Sequence, residues 1–90
     1  MIYLTIKPSQ AEPFQKKMQR HEWEMVSQEG GQSQFIGWAY VMHWQKETDD
    51  KMAKVWLHYS DNQGQLEAYL EMNPAAKPLV DAIVTEIAAA

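Results

Sequence analysis

Three histidines are the side chains in this sequence best suited to chemistry, because imidazole exchanges protons near neutral pH and can bind metal ions. His43 and His58 fall in two alternating segments on either side of a charged turn. If that turn has an even number of residues, both rings lie on one face of a sheet and flank Trp56. The three side chains could then orient a small ligand, or the two histidines could hold a metal with the help of water. The alternative is a pair of core or interface histidines held by hydrogen bonds.

A metal site is not expected at these histidines. The pattern places no carboxylate on their face of the hairpin, and the chain contains no Cys. The acidic side chains are scattered along predicted helices and turns, which indicates a solvated surface and not paired catalytic carboxylates. We therefore expect neither a metal nor another cofactor.

The third histidine, His21, falls on the apolar stripe of a predicted helix, together with Phe14 and Met18. Burial without a compensating charge would keep its ring neutral, and a neutral ring can act as a base. His21 is thus a candidate catalytic residue, and Met18 is a candidate for the border of a ligand pocket. The alternative for both is ordinary packing between helix and sheet. Trp23 is predicted to face away from this stripe, toward solvent.

Four aromatic residues on the other face of the predicted hairpin are also candidates: Trp38, Tyr40, Trp44 and Tyr59. They would face the helices and could line an apolar pocket that ends in a few polar groups, as small-molecule sites usually do. The alternative is that these aromatic side chains simply form the core.

Hydrophobic periodicity predicts the elements that would position these residues. Residues 2–7 alternate as a strand does, and residues 10–28 have the pattern of an amphipathic helix that ends at the glycine-rich segment 29–33. The hairpin spans residues 35–59, with its turn at residues 47–51. A short helix is predicted at residues 65–72, and a helix in the tail, residues 75–90. A closing strand at residues 80–87 is an alternative for the tail, because that segment is rich in β-branched residues.

The hairpin is apolar and aromatic on both faces. With an even turn, Ile36 and Met42 share a face with Leu57, whereas Phe35 and Val41 lie on the opposite face. The predicted order is β-α-β-β-α-α, with or without a final strand, which gives an α+β fold with helices on one face of an antiparallel sheet. The second face is then expected to meet a partner subunit or a ligand.

Composition limits the classes of function that need to be considered. The 90 residues predict a single domain, 1–90, and 46% of them are hydrophobic. The formal net charge of −4 disfavours binding to nucleic acid, whose phosphates attract basic proteins. There is no apolar segment long enough to cross a membrane and no signal-peptide pattern. We expect a soluble cytoplasmic protein with no membrane or nucleic-acid partner.

Several short segments resemble a known family. They are Lys7-Pro8, Glu12 and Phe14 in the first helix, Tyr59-Ser60-Asp61, the segment 66–70, Asn73-Pro74 and Lys77. In these features the chain resembles the dimeric α+β barrel proteins of the antibiotic biosynthesis monooxygenase type. The resemblance implies a ferredoxin-like protomer and a homodimer in which the two sheets pack together into a barrel. Tyr69 stands where the family often carries a helical histidine, and in the haem-degrading branch such a histidine binds iron, so haem chemistry is not expected here.

Two hypotheses of function follow, from different classes. The resemblance implies a small monooxygenase-like enzyme that needs no cofactor and acts on a flat organic substrate, with His21, Tyr40 and Tyr59 catalytic. Trp38, Met18, Tyr69, Trp56, His43 and His58 would contact the ligand. The alternative is a non-catalytic dimeric module that binds a protein or small ligand through Trp-rich surfaces. An enzyme predicts a closed apolar cavity inside each protomer, whereas a binding module predicts a filled core and an exposed aromatic surface.

Overall fold

The computed structural model describes residues 1–33, 37–62 and 64–89, and within these ranges the chain forms five strands and two helices around one sheet. In chain order the elements are β1 (Ile2–Ile6), α1 (Ala11–Arg20), β2 (Glu24–Ser33), β3 (Gly37–Thr48), β4 (Lys51–Asn62), β5 (Gln65–Met72) and α2 (Lys77–Ala89). A single 3-10 turn, Pro8–Gln10, leads into α1. All neighbouring strands are antiparallel, in the spatial order β1-β5-β4-β3-β2. The prediction of an α+β fold with an antiparallel sheet is confirmed.

The predicted ferredoxin-like order is wrong. The observed order is β-α-β-β-β-β-α, because two segments predicted to be helical are strands. The first helix stops at Arg20, and residues 24–33 form β2 instead of a helix and its glycine-rich end. Residues 65–72 form β5 instead of a short helix. The fold therefore does not support the resemblance at the level of topology.

The early end of α1 has a local cause. Glu22 adopts a left-handed conformation, with φ of 64°. Its N–H donates to the carbonyl of Gln19 at 3.1 Å, and the N–H of Trp23 donates to the carbonyl of Met18 at 3.0 Å. These two bonds form the Schellman motif that closes many helices, in which the residue after the left-handed one packs back on the helix. Trp23 is accordingly buried, at 6% exposure, and the prediction that it faces solvent is wrong.

The β5 segment is a strand because of its neighbours. Its sequence allows both periods: Leu66, Tyr69 and Leu70 match a helix, whereas Ala68, Leu70 and Met72 alternate. In the sheet β5 lies between β1 and β4, and the alternating set is the buried one. Pairing with β4 over residues 65–72 and with β1 over residues 68–72 gives β5 backbone partners on both sides and buries these apolar side chains together, which outweighs local preference.

The β3–β4 hairpin follows the prediction. Thr48 pairs with Lys51, so the connection has two residues, Asp49 and Asp50, with φ of 47° and 63°. Positive φ at both central positions matches the twist of the flanking strands. Tyr40 lies opposite Tyr59. The predicted sharing of faces is therefore confirmed for residues 39–44 and 53–59, whereas Phe35 and Ile36 lie outside the described residues.

The core lies between one face of the sheet and the two helices. Phe14 of α1 meets Trp44 of β3 edge to face, with ring centroids 5.8 Å apart, and Val80 and Ile83 of α2 are buried beside them in the same core. Each fully buried side chain of this size contributes about 1.5–3 kcal/mol. The largest fully buried side chains are Trp44, Phe14, Met18, Leu57, Leu70, Met72, Val55 and Val80. The tail is a helix, so the alternative of a closing strand is wrong.

No helix in the described ranges is both long and apolar enough to cross a membrane.

Candidate functional site

The second face of the sheet carries no described element. Both helices pack on the other face, and the side chains that alternate away from the core are exposed or half-buried. We call this surface the open face. Its described members include Tyr3, Thr5, Ser27, Glu29, Ala39, Val41, His43, Gln45, Glu47, Met52, Lys54, Trp56, His58, Ser60, Gln65, Glu67, Tyr69 and Glu71.

Two histidines on the open face stack on aromatic rings of the neighbouring strand. His43 lies opposite Trp56, with ring centroids 4.3 Å apart and planes 11° apart. His58 lies opposite Tyr69, with centroids 4.4 Å apart and planes 5° apart. The predictions that His43 and His58 share a face and flank Trp56 are confirmed. Tyr69 joins them because β5 is a strand, which aligns its ring with that of His58.

A carboxylate also lies on this face, contrary to the prediction. Glu71 Oε1 is 3.0 Å from His58 Nε2, and its Oε2 accepts a hydrogen bond of 3.5 Å from the Tyr3 hydroxyl. The His58 and Glu71 side chains are each 24% exposed, so the pair is partly shielded from water. Sequence analysis missed Glu71 and Tyr3 because the wrong element was predicted for residues 65–72. The alternation of Glu67, Tyr69 and Glu71 was the signal that could have shown them.

His43 differs from His58 in the surroundings of its Nε2 atom. Its Nε2 atom is buried and forms no hydrogen bond with any described residue. Burial lowers the pKa of His43 below 6.5, and the positive charge of Lys54, two residues before Trp56 on β4, lowers it further. The ring is therefore neutral at neutral pH, and it acts as an aromatic surface against Trp56.

On the helix side of the sheet, an open cleft of about 500 Å³ lies between α1 and the strands β2 and β3. Tyr40 stacks on Tyr59, with ring centroids 4.9 Å apart, and its hydroxyl accepts a hydrogen bond of 3.1 Å from Gln15. Burial raises the pKa of Tyr40, and the nearby Tyr59 and Glu12 act in the same direction, although the Gln15 hydrogen bond opposes them. The Tyr40 hydroxyl thus stays protonated and can donate a hydrogen bond to a ligand in the cleft.

The cleft continues toward the far end of α1 as a second hollow of about 420 Å³, which shares Glu12 and Gln15 with the first. Trp23, Met25 and Trp44 lie along this part. Both hollows are open to solvent. The core beneath them is filled, and neither hollow has the form of the closed apolar cavity expected of an enzyme of this size.

The other predicted site residues lie elsewhere. His21 is the residue after the last turn of α1, and its Nε2 is 3.1 Å from Glu86 of α2. Its side chain is 39% exposed, so the prediction of a buried histidine on the apolar stripe is wrong. Met18 is fully buried in the core and does not border either hollow. The side chain of Trp38 lies outside the described residues.

The predicted catalytic set is therefore divided. Tyr40 and Tyr59 are in contact, but His21 is not among the residues that line their cleft; it joins the ends of α1 and α2. The hydrogen bond with His21 is the main reason that the pKa of Glu86 is lowered. This arrangement gives His21 a position between two helices and not beside a ligand.

Among residues 1–33, 37–62 and 64–89, no three His, Asp or Glu side chains are grouped closely enough to hold a metal ion. In the described ranges, the fold and these surfaces define a small α+β protein with a core beneath its helices, an open aromatic face and an open cleft. Comparison of the chain with protein-family models, with curated proteins and with solved structures gives no match.

Proposed function

We propose that this protein is a non-catalytic interaction module that forms a homodimer through the open face. The observation that carries the proposal is the pair of cross-strand stacks, His43 on Trp56 and His58 on Tyr69, on a sheet face that no described element covers. Trp and Tyr are enriched in protein interfaces, especially at their centres. A filled core beneath an exposed aromatic surface is the pattern expected of a binding module.

The open face has a suitable size for a second copy of the chain. Five strands about 4.8 Å apart span roughly 24 Å, and the eight residues of β5 span about 26 Å, which gives roughly 600 Å² before side-chain relief is counted. A typical stable interface buries about 800 Å² on each partner. A 90-residue domain also has a small core of its own, so it gains much from such burial.

The charges on the open face are self-complementary. Along β4 the outward positions are Lys54, Trp56, His58 and Ser60, and Glu67 on β5 lies opposite Ser60. A two-fold axis in the plane of the interface, perpendicular to the strands and between Trp56 and His58, reverses the strand direction of the second copy. Lys54 of each copy then lies over the end that carries Glu67 of the other. The same operation places Trp56 of one copy against His58 of the other.

The first test is the oligomeric state, measured by light scattering on a size-exclusion column over a wide range of protein concentration. A mass of twice the 10.4 kDa chain supports the proposal, and a monomer at every concentration overturns it. Trp56→Lys should abolish the dimer, because it places a charge at the centre of the apolar contact. Met25→Lys is the matched control, since Met25 is an exposed apolar residue on the helix side of the sheet.

The orientation of the two copies can be tested by exchanging charges. Lys54→Glu and Glu67→Lys should each raise the Kd about tenfold, because each change affects two symmetric contacts worth roughly 0.2–1 kcal/mol. The double variant should return to within about threefold of the original Kd. If the rise in Kd of the double variant equals the product of the two single rises, the two side chains do not interact, and a dimer with this orientation is excluded.

A second candidate function concerns the cleft on the helix side. A cofactor-independent monooxygenase would bind a flat organic substrate there, with the Tyr40 hydroxyl donating a hydrogen bond beside the Tyr59 ring. The observation in favour of this candidate is the protonated, half-buried Tyr40 at the edge of a cleft of about 500 Å³. Oxygen consumption with a panel of electron-rich phenols and quinols tests it, with Tyr40→Phe as the comparison. Turnover that is the same in Tyr40→Phe would remove this residue from the mechanism.

A further inference from the structure

We infer that acid dissociates the proposed dimer and that His43 is the group responsible, an inference that rests on the proposed function. The two histidines of the open face differ in what surrounds them. The Nε2 atom of His58 lies 3.0 Å from the Glu71 carboxylate, which can accept a hydrogen bond from it. A proton on the Nε2 atom of His43 would lie in a buried position that has no acceptor among the described residues.

The groups around His43 can be named strand by strand. On β4 the ring faces Trp56, with Lys54 and His58 at the adjacent outward positions. On β2 the opposite residue is Ser27, and Glu29 lies one outward position away, opposite Val41. On β5 the one carboxylate in this part of the face, Glu71, is bonded to His58 and Tyr3. Only Lys54 among them shifts the titration of His43, and it acts against protonation.

Association would make protonation of His43 still less favourable. In the proposed dimer the His43–Trp56 row lies against the second copy, and water leaves both surfaces. A charge that is already poorly solvated in one copy loses more of its solvation when the face is covered. A proton can therefore be taken up only by separating the two copies, or by turning the ring away from Trp56 and losing the central stack.

The sign of the effect follows from proton linkage. The pKa of His43 is lowered in the folded chain, and covering the face lowers it further, so the separated state binds protons more readily than the dimer. Association is then fully favourable above about pH 6.5 and weakens as the pH falls. Between pH 7.5 and 5.5 each of the two copies contributes less than the roughly tenfold that an unshifted imidazole would give, so we expect the Kd to rise several-fold and by no more than about 100-fold. Ordinary carboxyl groups remain ionised in this range.

Two matched substitutions separate His43 from His58. His43→Phe and His58→Phe both keep an aromatic ring against the neighbouring strand, and neither new ring can take up a proton. The Kd of the original chain and of both variants is measured at pH 7.5 and pH 5.5 by sedimentation, with circular dichroism at both pH values to verify folding. A dimer that weakens with acid in the original chain and in His58→Phe, but not in His43→Phe, supports the inference.

Every other result refutes either the role of His43 or the homodimer itself. A dimer with the same Kd at both pH values, or acid weakening that persists in His43→Phe, refutes the role of His43 and leaves the homodimer standing. A chain that is monomeric at both pH values refutes the homodimer and the acid response together.

Discussion

Gly30→Ala should severely destabilise the fold, because at Gly30 there is no space between β2 and the backbone of β3 for a side chain. Gly30 lies opposite Tyr40 and has φ of 140°, a conformation that L side chains rarely adopt. A Cβ atom at this position would lie 2.3 Å from the Ala39 carbonyl oxygen and 2.4 Å from the Tyr40 Cα atom. Both are backbone atoms, so no side-chain rotation can relieve the overlap.

The size of the effect can be separated into two parts. Gly64 also has positive φ, 92°, but a Cβ there meets no atom within 4 Å. Gly64→Ala therefore measures the conformational cost alone, about 1 kcal/mol. Gly30→Ala adds the displacement of the β3 backbone by about an ångström and the loss of nearby ladder hydrogen bonds, each worth about 0.5–1.5 kcal/mol. We expect Gly30→Ala to cost about 3 kcal/mol or more.

Urea unfolding, followed by Trp fluorescence and far-UV circular dichroism at one fixed protein concentration, measures both variants. With a slope of about 1–3 kcal/mol per molar urea, Gly30→Ala should lower the midpoint by about 1–3 M or more, and Gly64→Ala by about 0.3–1 M. Fixed concentration matters because a dimer gains stability by mass action. Equal midpoints for the two variants would refute the close pairing of β2 with β3, and with it the reasoning that replaced the predicted helix by a strand.

Three further predictions test other parts of the structure. Phe14→Ala should cost about 3–5 kcal/mol in urea unfolding, because Phe14 is fully buried, whereas Met25→Ala, at an exposed position on the helix side of the sheet, should change stability by less than about 0.5 kcal/mol; similar losses would contradict the described core. Asp50→Gly should raise stability by about 0.5–1 kcal/mol, since it relieves φ of 63° in the hairpin turn, and a lower melting temperature would exclude this turn geometry. In NMR titration Glu86 should have a midpoint below the ordinary 4.5, and His21→Gln should move it upward, because His21 provides the main stabilisation of the carboxylate; an unchanged midpoint would show that the two side chains are not bonded. The unfolded chain binds this proton more readily, so acid in the range between the two pKa values favours unfolding.

The β3–β4 hairpin could be predicted because its signals agree with one another. Two apolar segments of equal length flank a charged turn, and an even connection fixes the face of every residue. The common face of His43, Trp56 and His58 follows from that register alone. Tyr40 opposite Tyr59 follows in the same way, and the observed stack required only that the two rings lie side by side.

The end of α1 could not be predicted, because its determinants are not visible as residue types. Helices that end in a left-handed residue usually have Gly at that position, but here it is Glu22. The apolar periodicity continues through Met25, so the pattern predicts a longer helix. The helix ends at Arg20 because this allows Trp23 to be buried, and that burial exists only in the folded chain.

Which residues lie on the open face depends on how β5 pairs with strands that are distant in sequence. The β5 segment fits a helix or a strand by itself, and its pairing with β1 and β4 selects the strand. Once that choice is made, Tyr69 and Glu71 come to the open face beside His58. An error in one eight-residue element therefore hid Glu71 and its hydrogen-bond partner Tyr3 from the predicted site.

The pairing of β1 with β5 also determines the order in which the chain can fold. The strands from β2 to β5 each follow their sheet neighbour after only a few residues of sequence, so they can pair locally. Ile2, however, pairs with Met72, and closing a loop of that length has a large entropic cost before any contact is gained. Because β1 is synthesised well before its partner β5, it is the last of these five strands to be placed in the sheet. Until β5 is made, the apolar residues of β1 have no partner strand, and this interval is when a newly synthesised chain is most exposed to aggregation.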